Sequence, residues 1–136
     1  MVDDGDQLLE KRLREAVVIW LTTVRSDGQP QSSPVWFVWD GERFLIYSRP
    51  GSGKVPNIRG NPRVSLNLDS DGEGGDVVTI EGTAEIDPAA PLANEVDAYV
   101  AKYLEHIRRL GTEPGPFASM YSTPIRVTPT RRRVYS

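Results

Sequence analysis

Apolar and polar positions change their period several times along the 136-residue chain, and each change marks an element. Leu8, Leu9 and Leu13 share a helical face, and Asp6 is placed to cap a helix reaching about Ala16. Residues 17–24 are β-branched and almost wholly apolar, which predicts a buried strand. Ser26-Asp27-Gly28 predicts a tight turn, and a second strand runs from Pro30 or Gln31 to Trp39. Asp40-Gly41 marks another hairpin, with a third strand at 43–48.

Residues 63–69 alternate, with Val64, Leu66 and Leu68 on one face and Ser65, Asn67 and Asp69 on the other. Residues 69–76 hold three glycines and four acids, the composition of a mobile loop. A fifth strand covers 77–86, and Gly82 inside it suggests a bulge or a close approach. Leu92, Val96, Tyr99, Tyr103, Ile107 and Leu110 recur at helical steps after Asp87-Pro88, giving one amphipathic helix that ends near Gly111. Residues 112–116 read as loop. A last strand follows at 123–135, with Pro129 implying an edge or a bend. No repeat or second domain is visible, so 1–136 is expected to be a single domain. The fold class is mainly β (α+β). Six antiparallel strands with flanking helices in so short a chain favour a closed or partly closed barrel.

Composition narrows the chemistry. The net charge of −3, from 16 basic and 19 acidic residues, argues against general affinity for nucleic acid or anionic membranes. The chain has no cysteine and one histidine, His106. Thiolate metal sites, disulfides, His-rich metal centres and most serine–histidine–acid schemes lose their central residue. No apolar run approaches the roughly 20 residues that span a bilayer. The acidic N-terminus lacks an apolar signal region, so a cytoplasmic protein is expected.

The stretch 48–62 concentrates ligand-binding groups. An apolar strand runs into Ser48-Arg49-Pro50-Gly51-Ser52-Gly53-Lys54, followed by one helical turn that stops at Gly60 and Pro62. Hydroxyls, cations and backbone N–H groups converging at such a turn hold a phosphate without metal. The glycine spacing is not that of a P-loop, and Val55 stands where a magnesium-binding hydroxyl would be. Phosphate capture by Ser48, Arg49, Ser52 and Lys54 stands beside the plainer reading of a solvated turn with outward cations. Pro56 places the helix start nearer Val55 than a Ser52 cap would.

On the second strand, Ser33, Val35, Phe37 and Trp39 face one way and Ser32, Pro34, Trp36 and Val38 the other. Pro34 either interrupts the ladder or marks an edge, freeing polar backbone for a ligand's ring edge. With large aromatics on both faces, one face is expected to be covered by a partner or a cofactor. The alternative is ordinary packing. His106 reads as a partly exposed helical histidine rather than a proton donor. The run Arg131-Arg132-Arg133 alternates faces and makes no single patch.

With these residues in view, the chain resembles the split β-barrel family of flavin- and deazaflavin-binding proteins related to pyridoxamine 5′-phosphate oxidase. Within it the likeness is strongest to the actinobacterial coenzyme F420-dependent reductases. The carriers are the stretches 21–30, 33–38, 46–48, 53–58, 61–64 and 81–84, in that order and spacing. The resemblance implies a homodimer with cofactor sites at the subunit interface. It implies that Ser32, Ser33, Pro34, Val35 and Trp36 meet the ring, and that Tyr47, Ser48, Arg49, Gly53, Lys54 and Asn57 serve the ribityl phosphate end. It further implies hydride transfer from reduced F420 to a small electrophilic acceptor such as an enone or quinone. FMN is the alternative cofactor, on a pyridoxamine 5′-phosphate oxidase-like enzyme or a non-catalytic carrier, and a heme-binding relative is a weaker idea because only His106 could ligate. The cofactor carries the hydride chemistry and the protein supplies orientation, so no catalytic side chain is assigned. Tyr47 and Tyr121 are possible proton sources. A basic groove of Arg49, Arg59 and Arg131 to Arg133 would suit the F420 tail.

Overall fold

The computed structural model describes residues 4–135, and side chains from residue 7 to residue 134. Its strands are β1 Ile19–Val24, β2 Pro30–Val35, β3 Phe37–Trp39, β4 Phe44–Ser48, β5 Arg63–Asn67, β6 Val77–Ile86 and β7 Thr123–Tyr135. They form one antiparallel sheet in the order β2-β1-β5-β6-β7-β4-β3. The two edge strands, β2 and β3, are consecutive in the chain, with Trp36 alone between them. A sheet whose opposite edge strands are joined by one residue must curl, so that the end of β2 lies beside the start of β3.

The sheet therefore has seven strands, not the expected six. The second strand divides because its partner changes: Val35 faces Ile19 of β1, whereas Phe37 faces Ile46 of β4. Side-chain alternation runs through the break. Val35 and Phe37 enter the main core with Ile19, Leu21, Phe44, Ile46 and Leu66, and Trp39 packs against it. Trp36 and Val38 turn outward. Pro34 sits opposite Trp20 on an edge strand, the place in a sheet where a residue without an N–H is tolerated.

The outward face at Trp36 and Val38 is covered in large part by the chain's own helices. Helix α3, Asp97–Arg109, and helix α4, Pro114–Met120, cover it with Tyr99, Tyr103, Ile107 and Phe117. A 3-10 turn at Ala93–Glu95 precedes α3, and extended Val96 (φ −98°, ψ 104°) separates the two, so the single expected helix is divided. Helix α4 replaces part of the expected 112–116 loop. It opens on Pro114, whose missing N–H is harmless in a first turn.

Helix α1, Asp4–Glu15, puts Leu9 and Leu13 into the main core. It begins before Asp6, so Asp6 is not its cap, and that side chain lies outside the described residues. Arg12 donates to the carbonyls of Asp76 at 2.7 Å and Asp69 at 2.8 Å. The two ends of the acidic 69–76 loop are thus tied to α1. Gly82 lies at a bulge, and a Cβ there would sit 2.8 Å from the Thr128 carbonyl oxygen. β4 pairs with β7 only as far as Val127, so Pro129 falls where β7 has β6 as its one strand neighbour.

Candidate cofactor groove

The groove grows from the end of β4. Ser48 is buried and donates to the Arg49 carbonyl at 3.0 Å, turning the chain into the Arg49–Gly53 loop. Helix α2, Lys54–Gly60, follows, with Gly53 in its cap position. Pro56 is then the third helical residue, where its N–H would lack a helical partner in any case. Val55 and Ile58 are buried and seat the helix against the sheet.

Two cavities flank Lys54 at the end of this loop. The larger, about 440 Å³, takes Pro34, Val35, Trp36, Tyr47, Ser48, Arg49 and Lys54 of the expected residues, and adds Ser52, Tyr99, Leu110, Phe117 and Tyr121. The smaller, about 230 Å³, takes Ser32, Ser33, Gly53, Asn57 and again Lys54, with Thr23, Gln31 and Ser52. Ser52 and Lys54 line both. The residues expected to meet the ring and the phosphate end thus border two adjoining cavities that form one groove, aromatic at one end and rich in hydroxyls and amides at the other. Its volume is in the range of small-molecule sites.

Lys54 stands at the junction. Its Nζ donates to Ser52 Oγ at 2.9 Å, and among the described residues no carboxylate lies within ion-pair distance. Burial lowers its pKa from the ordinary lysine value. Asn57 serves a structural purpose as well. Its amide donates to Thr23 Oγ1 and Gln31 Oε1, each at 3.0 Å, and ties α2 to β1 and β2. Thr23 and Gln31 were missed because nothing local marks a residue as the anchor of a distant amide.

Trp36 meets the groove by its edge. Its ring lies between Tyr103 (centroids 4.7 Å apart, planes 7°) and Phe117 (5.4 Å, 22°). Phe117 continues the stack onto Tyr121 at 4.6 Å, and the Arg49 guanidinium lies 5.1 Å from the Tyr121 centroid. The Tyr47 hydroxyl donates to the Pro91 carbonyl at 2.6 Å, and burial pushes its pKa up to about 12. That commitment makes Tyr47 a poor proton source. His106 lies behind Trp36, edge-on at 5.9 Å, with its Nδ1 buried and unpartnered. Arg59 borders a different cavity, with Glu85 and Pro88, and Arg131, Arg132 and Arg133 lie on β7 opposite Glu81, Ile80 and Thr79. They do not join Arg49 in one basic groove.

The fold and the groove agree with a family profile that spans nearly the whole chain: residues 6–131 match pyridoxamine 5′-phosphate oxidase. The chain belongs to the pyridoxamine 5′-phosphate oxidase family. This is a family of flavin-binding oxidoreductases. A pyridoxine/pyridoxamine 5′-phosphate oxidase of Rubrobacter xylanophilus is 34% identical over 120 residues, covering 88% of this chain and 51% of that protein. One from Aeromonas hydrophila is 36% identical over 61 residues, or 44% of this chain and 29% of its own. The chain thus spans about half, or less, of the length of these relatives. A solved structure described as an F420 reductase is similar over 98% of both chains, with TM-score 0.69 and 26% identity. No helix among the described residues is long and apolar enough to cross a membrane.

Proposed function

We propose that this family member is an F420H2-dependent oxidoreductase that reduces a small electrophilic acceptor such as an enone or quinone. The observation that carries the reading is Lys54, a half-buried ammonium with no carboxylate partner among the described residues, placed where the aromatic and hydroxyl-rich cavities meet. An uncompensated cation in a desolvated cleft favours a bound anion. The residues fit an elongated cofactor that carries a phosphate. Lys54, Ser52 and Ser48 suit the phosphate, Thr23, Ser32 and Ser33 suit a polyol, and Pro34, Val35 and Trp36 offer a ring edge backbone and side-chain contacts.

When bound, such a cofactor supplies the hydride, while the protein binds, orients and keeps water from the ring. The F420 reductase likeness over 98% of both chains supports the deazaflavin. The family itself and its oxidase-named relatives support FMN as the second reading. A homodimer that completes each groove from the partner, in the cytoplasm, belongs to the same proposal. Exposed β2 offers an edge for that contact.

The test is equilibrium titration of the protein with F420 and with FMN. Tighter binding of F420, weakened about tenfold or more in Lys54→Ala by loss of a charge-assisted hydrogen bond, supports the proposal. A yellow protein that retains FMN through gel filtration selects the second reading. Unchanged affinity for both cofactors in Lys54→Ala removes the site assignment.

A further inference from the structure

The outer end of the aromatic stack has a second, separate use. Phe117 backs one face of Tyr121, with the planes only 17° apart, and is itself backed by Trp36 and Tyr103. The Arg49 guanidinium lies over the same Tyr121 ring, 5.1 Å from its centroid. Arg49 is exposed, and among the described residues it has no carboxylate within ion-pair distance. On its outer side, Arg49, Pro50, Gly51, Ser52 and Met120 line an open hollow of about 500 Å³, which joins the groove through Arg49 and Ser52. Met120 brings an apolar side chain, 42% exposed, to that hollow.

A guanidinium resting on a half-buried ring is held weakly, and a carboxylate offered in bidentate geometry holds it better. Drawing Arg49 to a ligand acid frees a rigidly backed aromatic face beside it. Lys54 points inward to Ser52 and Arg49 lies outward on Tyr121, so the two cations address two different anions.

We propose that Arg49 and Tyr121 are the acceptor-selecting mouth of the groove, and that the acceptor is a planar ring bearing a carboxylate. The acid pairs with Arg49, and the ring takes the Tyr121 face that Arg49 leaves. This rests on the cofactor reading only in calling the ligand an acceptor, since the contact itself involves no cofactor.

Two soluble, unreactive probes test it: 2-naphthoate and its uncharged analogue 2-naphthamide, titrated into the protein with and without F420. The expected result is that naphthoate binds about fivefold more tightly than naphthamide, as an exposed ion pair allows. Arg49→Gln removes that preference, while Tyr121→Leu weakens both probes. Equal binding of the two probes by the unaltered protein overturns the inference. So does an Arg49→Gln protein that loses cofactor affinity as Lys54→Ala does, because Arg49 then belongs to the phosphate. Neither result touches the cofactor reading. That reading fails separately, if Lys54→Ala keeps its cofactor affinity, and the probe preference of cofactor-free protein still decides the role of Arg49.

Discussion

The Tyr103 hydroxyl accepts the Phe37 backbone N–H at 2.9 Å and donates to the Val17 carbonyl at 2.7 Å. Val17 leads into β1 and Phe37 begins β3, so one side chain of α3 bridges the line along which the curled sheet meets itself. At Trp36 neither ladder continues, and Tyr103 satisfies backbone groups that strand pairing leaves open. Tyr103→Phe keeps the ring stacked on Trp36 and deletes only the bridge. The expected cost is about 2 kcal/mol, because a buried N–H and a carbonyl lose their partner together. Urea unfolding followed by Trp fluorescence reads it. An unchanged midpoint would mean that the bridge does not hold the seam.

Lys102 sits on the same seam and makes stability depend on pH. Its Nζ donates to the Phe37 carbonyl at 2.9 Å and lies 3.9 Å from the Phe37 ring centroid and 5.2 Å from that of Tyr103. Burial lowers its pKa to about 8. The unfolded chain titrates near ~10.4 at this residue, so between the two values the unfolded state holds a proton that the folded state has released. Stability contributed through Lys102 therefore rises from about pH 8 towards the unfolded value, and the burial penalty is complete below pH 8. Tyr47 acts oppositely at higher pH, since its folded pKa of about 12 exceeds its unfolded value. Comparing the protein with Lys102→Met by denaturant melts at pH 7.5, 9 and 10 isolates the lysine. The difference should shift in favour of the unsubstituted protein as pH rises, and a constant difference refutes the assignment.

Local chemistry was legible, and long-range pairing was not. The β-branched run ending at Val24, the alternation of Val64 and Leu66, and the bulge at Gly82 each stand in the sequence, because burial and backbone approach act on neighbouring residues. The division at Trp36 left no mark. Alternation is unbroken from Ser33 to Trp39, and the change lies in which distant strand each half pairs with. Helix α4 escaped because Pro114, Gly115 and Pro116 read as loop, although Pro114 suits a first helical turn. The hydroxyls and Lys54 of the groove were readable as a cluster of ligand-type groups on one loop. Its aromatic wall was legible only in Trp36, Tyr47 and Tyr121. Tyr99 looked like an ordinary core position on its helix, and Phe117 reaches the groove only through the packing of α4.

Asn57 links that wall-building to binding. Its two amide hydrogens go to Thr23 and Gln31, and Thr23 is only 2% exposed. Asn57→Ala leaves both acceptors without their donor and frees α2 from β1 and β2. The expected loss of stability is about 1–2 kcal/mol. Lys54 stands one turn earlier on the same helix, so cofactor affinity should fall as well, although Asn57→Ala removes no charge. Asn57→Asp keeps the shape and loses the donors, and it should show both effects. Loss of affinity with an unchanged denaturation midpoint would instead make Asn57 a direct ligand and not a strut.

On the proposed reading, Lys54 sets the pH range over which a phosphate is held. Burial lowers its pKa, so on raising the pH the empty site loses its positive charge before an ordinary lysine would. A bound phosphate favours the charged form and opposes that loss, which makes affinity decline with pH as binding comes to require proton uptake. The comparison of FMN with riboflavin isolates the effect, since the two differ by the phosphate alone and that phosphate is fully ionised well above its second pKa of about 6. The ratio of their affinities should be large and flat from pH 7 to the onset of Lys54 deprotonation. It should then shrink at a pH below the usual lysine range. In Lys54→Met the ratio should be small throughout, because the hydroxyls of Ser48 and Ser52 remain but the charge does not. A preference for FMN that persists to pH 10.5, or that survives in the variant, would assign the phosphate to a different cation of the groove.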